Sequence, residues 1–202
     1  MASEPPTNAL RLSIDINVWV AALMATQHGR TGTVAQAIVA AVRDMKIADR
    51  PVQLVVSLEM ADTLERVLTR IGFAGPIAHD FANSIVELMK AGPDQLDPYL
   101  LVSGRDQLGM HDREDAGVLA TAIAARADVL VTDNLRDFQT NDSEIINTRT
   151  VQSNGIVRQI FCIIHERGDG VSLVVAHPVD VIAWLREGHE ITPDTVRRLY
   201  RA

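Results

Sequence analysis

The chain has one cysteine in 202 residues, an aromatic content of 4%, and no apolar run close to the length a bilayer demands. A single cysteine excludes an intramolecular disulfide and a thiolate cage for zinc. Cys162 lies among Ile160, Phe161, Ile163 and Ile164, so it reads as a small buried apolar residue and not as a nucleophile. The opening MASEPPTNALR has no basic start followed by an apolar stretch, so no leader is expected, and the chain is expected to be cytoplasmic and free of membrane. Phosphate-cradling glycine loops are missing as well: the glycines at 72, 75, 104 and 109 have the spacing of neither nucleotide fingerprint. The six histidines are scattered and form no pair at ligand spacing. Ser57 lacks the glycine-flanked elbow of a hydrolase nucleophile and reads as a helix cap.

What is there is acid. Asp and Glu total 26 against 19 Lys and Arg, a net charge of −7, which argues against holding nucleic acid through an overall positive field. Local basic patches stay open. The same balance suits a protein that gathers carboxylates around divalent cations. An apolar share of 47% is ample for one core.

Apolar periodicity orders the chain. Leu10 to Ile14 reads as a strand ending at Asp15, followed by a helix carrying Val18, Trp19, Ala22 and Leu23. A second helix starts near Thr31 or Thr33 and carries Ile38, Val42 and Met45, with Pro51 beyond its end. Leu54 to Val56 is a short buried strand leading to a helix capped by Ser57, and Pro76 opens another helix that runs to Gly92-Pro93. Tyr99 to Val102 reads as strand or loop. A helix from about Glu114 to Arg126, a strand Val129 to Thr132 and a turn through Phe138 follow. In the tract from Gln139 to Gly170 we expect an extended arm around Ile145 to Val151 and a short helix from about Gly155 to His165, from the near-helical spacing of Ile156, Ile160, Ile163 and Ile164. Val171 to Ala176 reads as the last strand, before a helix from Pro178 to Arg186 and another after Pro193, whose Arg197, Arg198 and Arg201 read as a solvated face. Alternating strands and helices imply crossover units, hence an α/β, Rossmann-like three-layer sandwich with a mainly parallel central sheet. We expect a single domain over residues 10–187, with an extended region at 139–170, and a helical tail at 188–202.

The acids fall where such a sheet places its ligands, beyond the carboxyl ends of its strands. Asp15 ends the first strand, with Asn17 two residues on, and Asp133, Asn134 and Asp137 follow a later one. Asp112, Glu114 and Asp115 open the helix between. Asp112 and Glu114 read as helix-start charges in preference to ligands, and Asp137 equally as a turn cap. Asp15 resists a bland reading, because Leu12, Ile14, Ile16 and Val18 surround it and a free carboxylate there is costly. Clustered carboxylates repel one another unless cations sit between them. An all-oxygen set selects Mg²⁺ or Mn²⁺ over Zn²⁺.

These residues carry a resemblance. SIDINVWVAAL resembles the opening strand and helix of the PIN domain, an apolar strand ending in Asp-x-Asn, and DREDAGVLATAIAARADVLVTDNLRDF resembles that family's later acid motif. VVSLEMADTLERVL is similar to the intervening strand and helix, and SLVVAHPVDVIAWL to the closing pair. The resemblance implies a metal-dependent endoribonuclease cutting single-stranded RNA, often the VapC-type toxin of a toxin–antitoxin pair, with a cognate antitoxin and a homodimer as partners. By position it implies Asp15 as the first acid, Asp115 as the third, and Asn134 at the fourth, flanked by Asp133 and Asp137. Asp15, Asp115 and Asp133 are the expected metal ligands, and Asn17 a supporting residue. The family's second acid falls on Thr63, leaving Glu59 and Asp62 as available substitutes. Arg113 and Arg136 are candidate contacts to the RNA backbone. The rival expectation is a degenerate PIN-fold module that binds RNA or protein without cutting, which Thr63 favours. A phosphatase using Asp15 as nucleophile lacks a suitable lysine.

Overall fold

The computed structural model describes residues 8–98, 110, 113–153, 156–168 and 170–200. Expectations for Tyr99 to Val102, Asp112 and Arg201 fall outside these residues. Along the chain run β1 (Leu10–Ile14), α1 (Ile16–Gln27), α2 (Val34–Arg43), β2 (Lys46–Ile47), β3 (Arg50–Val55), α3 (Leu58–Arg70) and α4 (Gly75–Ala91). Then come α5 (Arg113–Ala124), β4 (Val129–Val131), a 3-10 turn at Leu135–Phe138, β5 (Glu144–Ser153), β6 (Ile156–Glu166), β7 (Ser172–Ala176), α6 (Pro178–Arg186) and α7 (Pro193–Tyr200). No helix among the described residues is long and apolar enough to cross a membrane.

Helices α2, α3 and α6 begin where side chains satisfy the free amides of a first turn. Thr33 closes a reciprocal capping box with Gln36 at the start of α2, and Ser57 accepts from the Met60 amide at the start of α3. Pro178 occupies the first turn of α6, where its missing N–H costs nothing, and the ring of His177 accepts from the Val179 amide.

The strands form one seven-stranded sheet in the order β2-β3-β1-β4-β7-β6-β5. β3, β1, β4 and β7 are mutually parallel, with Ser13 beside Val55, Ile14 beside Val131 and Val131 beside Ala176, so their carboxyl ends align along one edge. β2 and the β6–β5 hairpin flank them in antiparallel pairing. The chain leaves β1 toward β3 and later returns past β1 to lay down β4, so the strand order reverses between β1 and β4. The central strands are buried on both faces, and α1, α2 and α6, with α3, α4 and α5, supply the covering side chains. This is the α/β sandwich expected.

Four local expectations are corrected. The stretch expected as a helix from Gly155 to His165 is strand β6, paired antiparallel to β5 and β7. Cys162, Ile163, Ile164 and His165 are buried in succession, so this part of the strand has no polar alternation, and its isoleucines mimic a helical spacing. The second helix stops at Arg43; Met45 and Ala48 take left-handed backbone with φ of 50°, bracketing the two-residue strand β2. The strand expected at Leu54 begins earlier, at Arg50, because β2 pairs with it. Arg197 does not belong to a solvated face: it donates to Glu144 at 2.7 Å and Glu166 at 2.7 Å, tying α7 to both strands of the hairpin. Cys162 is fully buried, and desolvation pushes its thiol up to about 12, so it is inert as expected.

Candidate functional site at the carboxyl edge of the sheet

Asp15 follows β1 directly, and its amide donates to the Val131 carbonyl at 3.0 Å, holding it against the end of β4 at the point where the strand order reverses. The residue is 6% exposed. Its carboxylate accepts from the Thr132 hydroxyl at 2.6 Å. That hydroxyl in turn accepts from the Asn17 side-chain amide at 3.2 Å and from the Asn134 backbone at 3.0 Å, so its donor and both acceptor sites are in use. Thr132 is thereby a fixed hub for Asp15, Asn17 and the start of the Asp133-Asn134 turn. Asn17 is fixed by the same bond, and its buried carbonyl oxygen has no hydrogen-bond partner among the described residues.

Burial pushes the Asp15 carboxyl above the ordinary carboxylate range, and the nearby Asp133 charge adds to this; the Thr132 hydroxyl and the amides of Ile16 and Asn17 pull it back down. No basic side chain pairs with Asp15 among the described residues. The crevice is therefore rich in oxygen acceptors and poor in donors.

The other expected site residues lie around this centre at differing removes. Asp133 is exposed and close enough to act on both Asp15 and His177. Asp137 is exposed on the 3-10 turn, where the Asn134 side chain donates to it. Asp115 is half-buried in the first turn of α5. That turn packs on the first turn of α3 in a narrow cleft lined by Ile16, Glu59, Thr63, Glu114 and Gly117. Gly117 faces the Glu59 carboxylate across this cleft, where a Cβ would stand at ordinary contact distance, 3.6 Å from Glu59 Oε2. Of the two acids near Thr63, Glu59 lines this cleft and Asp62 does not. Thr63 is buried, accepts from Arg66 at 2.7 Å, and shares that guanidinium with Glu114 at 3.3 Å. Among the described residues, no three His, Cys, Asp or Glu converge as a metal cage. Arg136 is exposed beside Asp137, while the side chain of Arg113 falls outside what is described.

Three neighbours went unforeseen. Thr132 was read only as the end of a strand, and His177 and Asp180 only as part of a closing strand and helix. Asking which residue follows each parallel strand finds Thr132 and His177. Asp180 is completely buried, and Thr148 donates to it at 2.7 Å from a strand that sequence reasoning left vague. The roomier hollows, about 350 and 650 Å³, lie between α1, α2 and α4 around Trp19, Val39 and Phe81, away from the acids.

An open, centrally parallel sheet with carboxylates at its switch point defines a protein that binds its ligand beyond the strand ends. A family model for the PIN domain matches residues 11–136, and the chain belongs to that family. No curated protein and no solved structure matches it. PIN domains are commonly nucleases, so membership points to nucleic acid as the ligand and to nuclease chemistry in general.

Proposed function

We propose that the chain is a Mg²⁺- or Mn²⁺-dependent endoribonuclease that cleaves single-stranded RNA, working as the toxin of a toxin–antitoxin pair. The observation that carries the metal dependence is the pairing of a desolvated Asp15 with the orphaned carbonyl oxygen of Asn17. Both are hard oxygen donors, fixed by one hydroxyl before any ligand arrives. Mg²⁺ keeps several waters and takes only one or two carboxylates from a protein, so a preassembled cage of three acids is not required. Asp15, Asp115 and Asp133 are our candidate ligands, with Asn17 beside them. When bound, such an ion acidifies a water and neutralises charge on the phosphate oxygens.

The chain's own residues supply position. Thr132 orients Asp15, Asn134 holds Asp137 at the rim, and Asp133 adds negative charge that favours a cation at Asp15. Glu59 is our substitute for the family's second acid, because it lines the cleft on the α1 side of α5. The antitoxin and the homodimer remain parts of this reading that rest on the family resemblance alone.

A second reading has one observation in its favour. Arg66 puts a guanidinium on Thr63 where the resemblance places an acid, which suits a PIN-fold module that binds RNA or protein without cutting it. One assay separates the two. Purified protein with Mn²⁺ is expected to cut a labelled single-stranded RNA, and Asp15→Asn to lower the rate at least about 100-fold, since loss of even an outer partner of a metal ligand costs 10- to 100-fold. RNA bound but uncut at every Mn²⁺ concentration establishes the binding module instead.

A further inference from the structure

The β5–β6 hairpin is not paired in uniform register: it shifts between Asn147 and Arg149, so Thr148 is an extra residue on β5. In a regular strand, adjacent side chains point to opposite faces, but a bulge re-aims them. Here Thr148 and Arg149 both reach Asp180. The Thr148 hydroxyl donates to Oδ2 at 2.7 Å, and Arg149 Nε stands 2.5 Å from Oδ1, a charge contact without the alignment of a hydrogen bond. Asp180 is completely buried, whereas the Arg149 side chain keeps 33% exposure.

The register places this pair on the carboxyl edge. Ile163 faces Val175, so Ile160, the partner of Arg149, lies level with Pro178, past the end of β7 and beside the first turn of α6. Pairing continues from there to Ser153 and Ile156, carrying the hairpin roughly 13 Å farther beyond the sheet at 3.3 Å per residue. His177, the N-cap of α6, is within electrostatic reach of Asp133 and also of Asp180 and Arg149. The acid crevice thus has a wall on its β7 side, and that wall carries a cation.

We infer that Arg149 is a substrate-positioning residue that binds an RNA phosphate beside the acid crevice, aimed by the β5 bulge and braced by Asp180. This rests on the nuclease reading above. A polyanion approaching Asp15, Asp133 and Asp137 in a chain of net charge −7 needs cations at the rim. A guanidinium has five N–H donors in a planar fork, so contact through Nε leaves the two terminal nitrogens for a phosphate. Asp180 supplies what pre-organises an arginine: a fixed anion on one side of the fork, itself held by Thr148.

The test follows cleavage of a labelled single-stranded RNA by the full chain with Mn²⁺ over a range of NaCl concentrations. Arg149→Gln is expected to raise KM about tenfold with little change in kcat, the loss of one charge-assisted contact. It should also flatten the dependence of log KM on log salt by about 0.7, the share of one phosphate on a single strand. Arg149→Lys keeps the charge and should keep the salt slope. Arg149→Gln combined with Asp180→Asn removes both charges at once, avoiding an unpaired buried carboxylate, and should show the same KM and slope changes as Arg149→Gln. Wild-type KM and slope in these folded variants overturn the proposal and leave Arg149 a latch for the hairpin, with the nuclease reading intact. A wild-type chain that cuts no RNA overturns the nuclease reading and this one with it.

Discussion

The two ends of the parallel sheet treat buried acids in opposite ways. At the amino end Arg11 gathers them: its Nε donates to Asp94 at 2.7 Å, its backbone amide to Asp128 at 2.8 Å, and its Nη1 to the Ala125 carbonyl at 3.0 Å. The Asp94 side chain is only 6% exposed, and the guanidinium beside it compensates its charge. Burial raises the Asp128 carboxyl, and Arg11 and Arg50 pull it down. At the carboxyl end, just past the last residue of the same strand, Asp15 is buried and is answered by a hydroxyl instead of a cation. The amino end balances its charge; among the described residues the carboxyl end does not, and the Asn17 carbonyl oxygen beside Asp15 also lacks a hydrogen-bond partner there. A fold that holds an uncompensated carboxylate loses stability by it, a deficit that the cation proposed above would offset.

That contrast is sharpest in stability. Removing the cation at the amino end, Arg11→Ala, should cost about 3 kcal/mol in chemical denaturation, since it strands the buried Asp94 carboxylate, while the cleavage rate per folded molecule should stay near wild type. At the carboxyl end the sign reverses. A carboxyl raised in the folded state binds protons that the unfolded chain releases, so the fold loses stability as pH rises through that window and carries the deficit at neutral pH. Asp15→Asn removes the charge, and its melting temperature at pH 7 should exceed wild type; a fall would mean that Asp15 is compensated after all. Thr132→Val is the smallest change of the three. It deletes the hub hydroxyl, should lower stability by about 1 kcal/mol, and should reduce cleavage about 10- to 100-fold by freeing Asp15 and Asn17.

The sequence made much of the parallel centre legible because β1, β4 and β7 are short, mostly apolar and followed at once by a polar residue. Asp15 after Ile14 and Thr132-Asp133 after Val131 announce strand ends, and the helix caps at Thr33 and Ser57 sit at the expected places. The hairpin was opaque for a physical reason: β6 is buried at successive positions from Cys162 to His165, so that part leaves no period-two trace, and its outer part exposes an apolar Val157. Arg197 was misread because its partners, Glu144 and Glu166, lie 53 and 31 residues away, and a lone cluster of arginines looks the same whether solvated or paired. Arg149 was missed for the same reason and because a bulge, invisible in composition, aims it. Among the acids, the sequence marked the positions at the strand ends but not which of them meet. Contact between Thr132 and Asp15 depends on β1 and β4 being neighbours across 117 residues of chain.

The central claim is that Asp15 is an acceptor kept for a divalent cation, and thermal unfolding of the metal-stripped chain titrated with Mn²⁺ tests it most directly. A ligand that binds only the folded state stabilises by about 2.7 kcal/mol at 100 times its dissociation constant, so the wild-type melting temperature should climb steadily with Mn²⁺. Asp15→Asn should start higher and stay flat, and Arg11→Ala should start lower and climb in parallel with wild type. An Asp15→Asn protein that gains as much from Mn²⁺ as wild type would contradict the account.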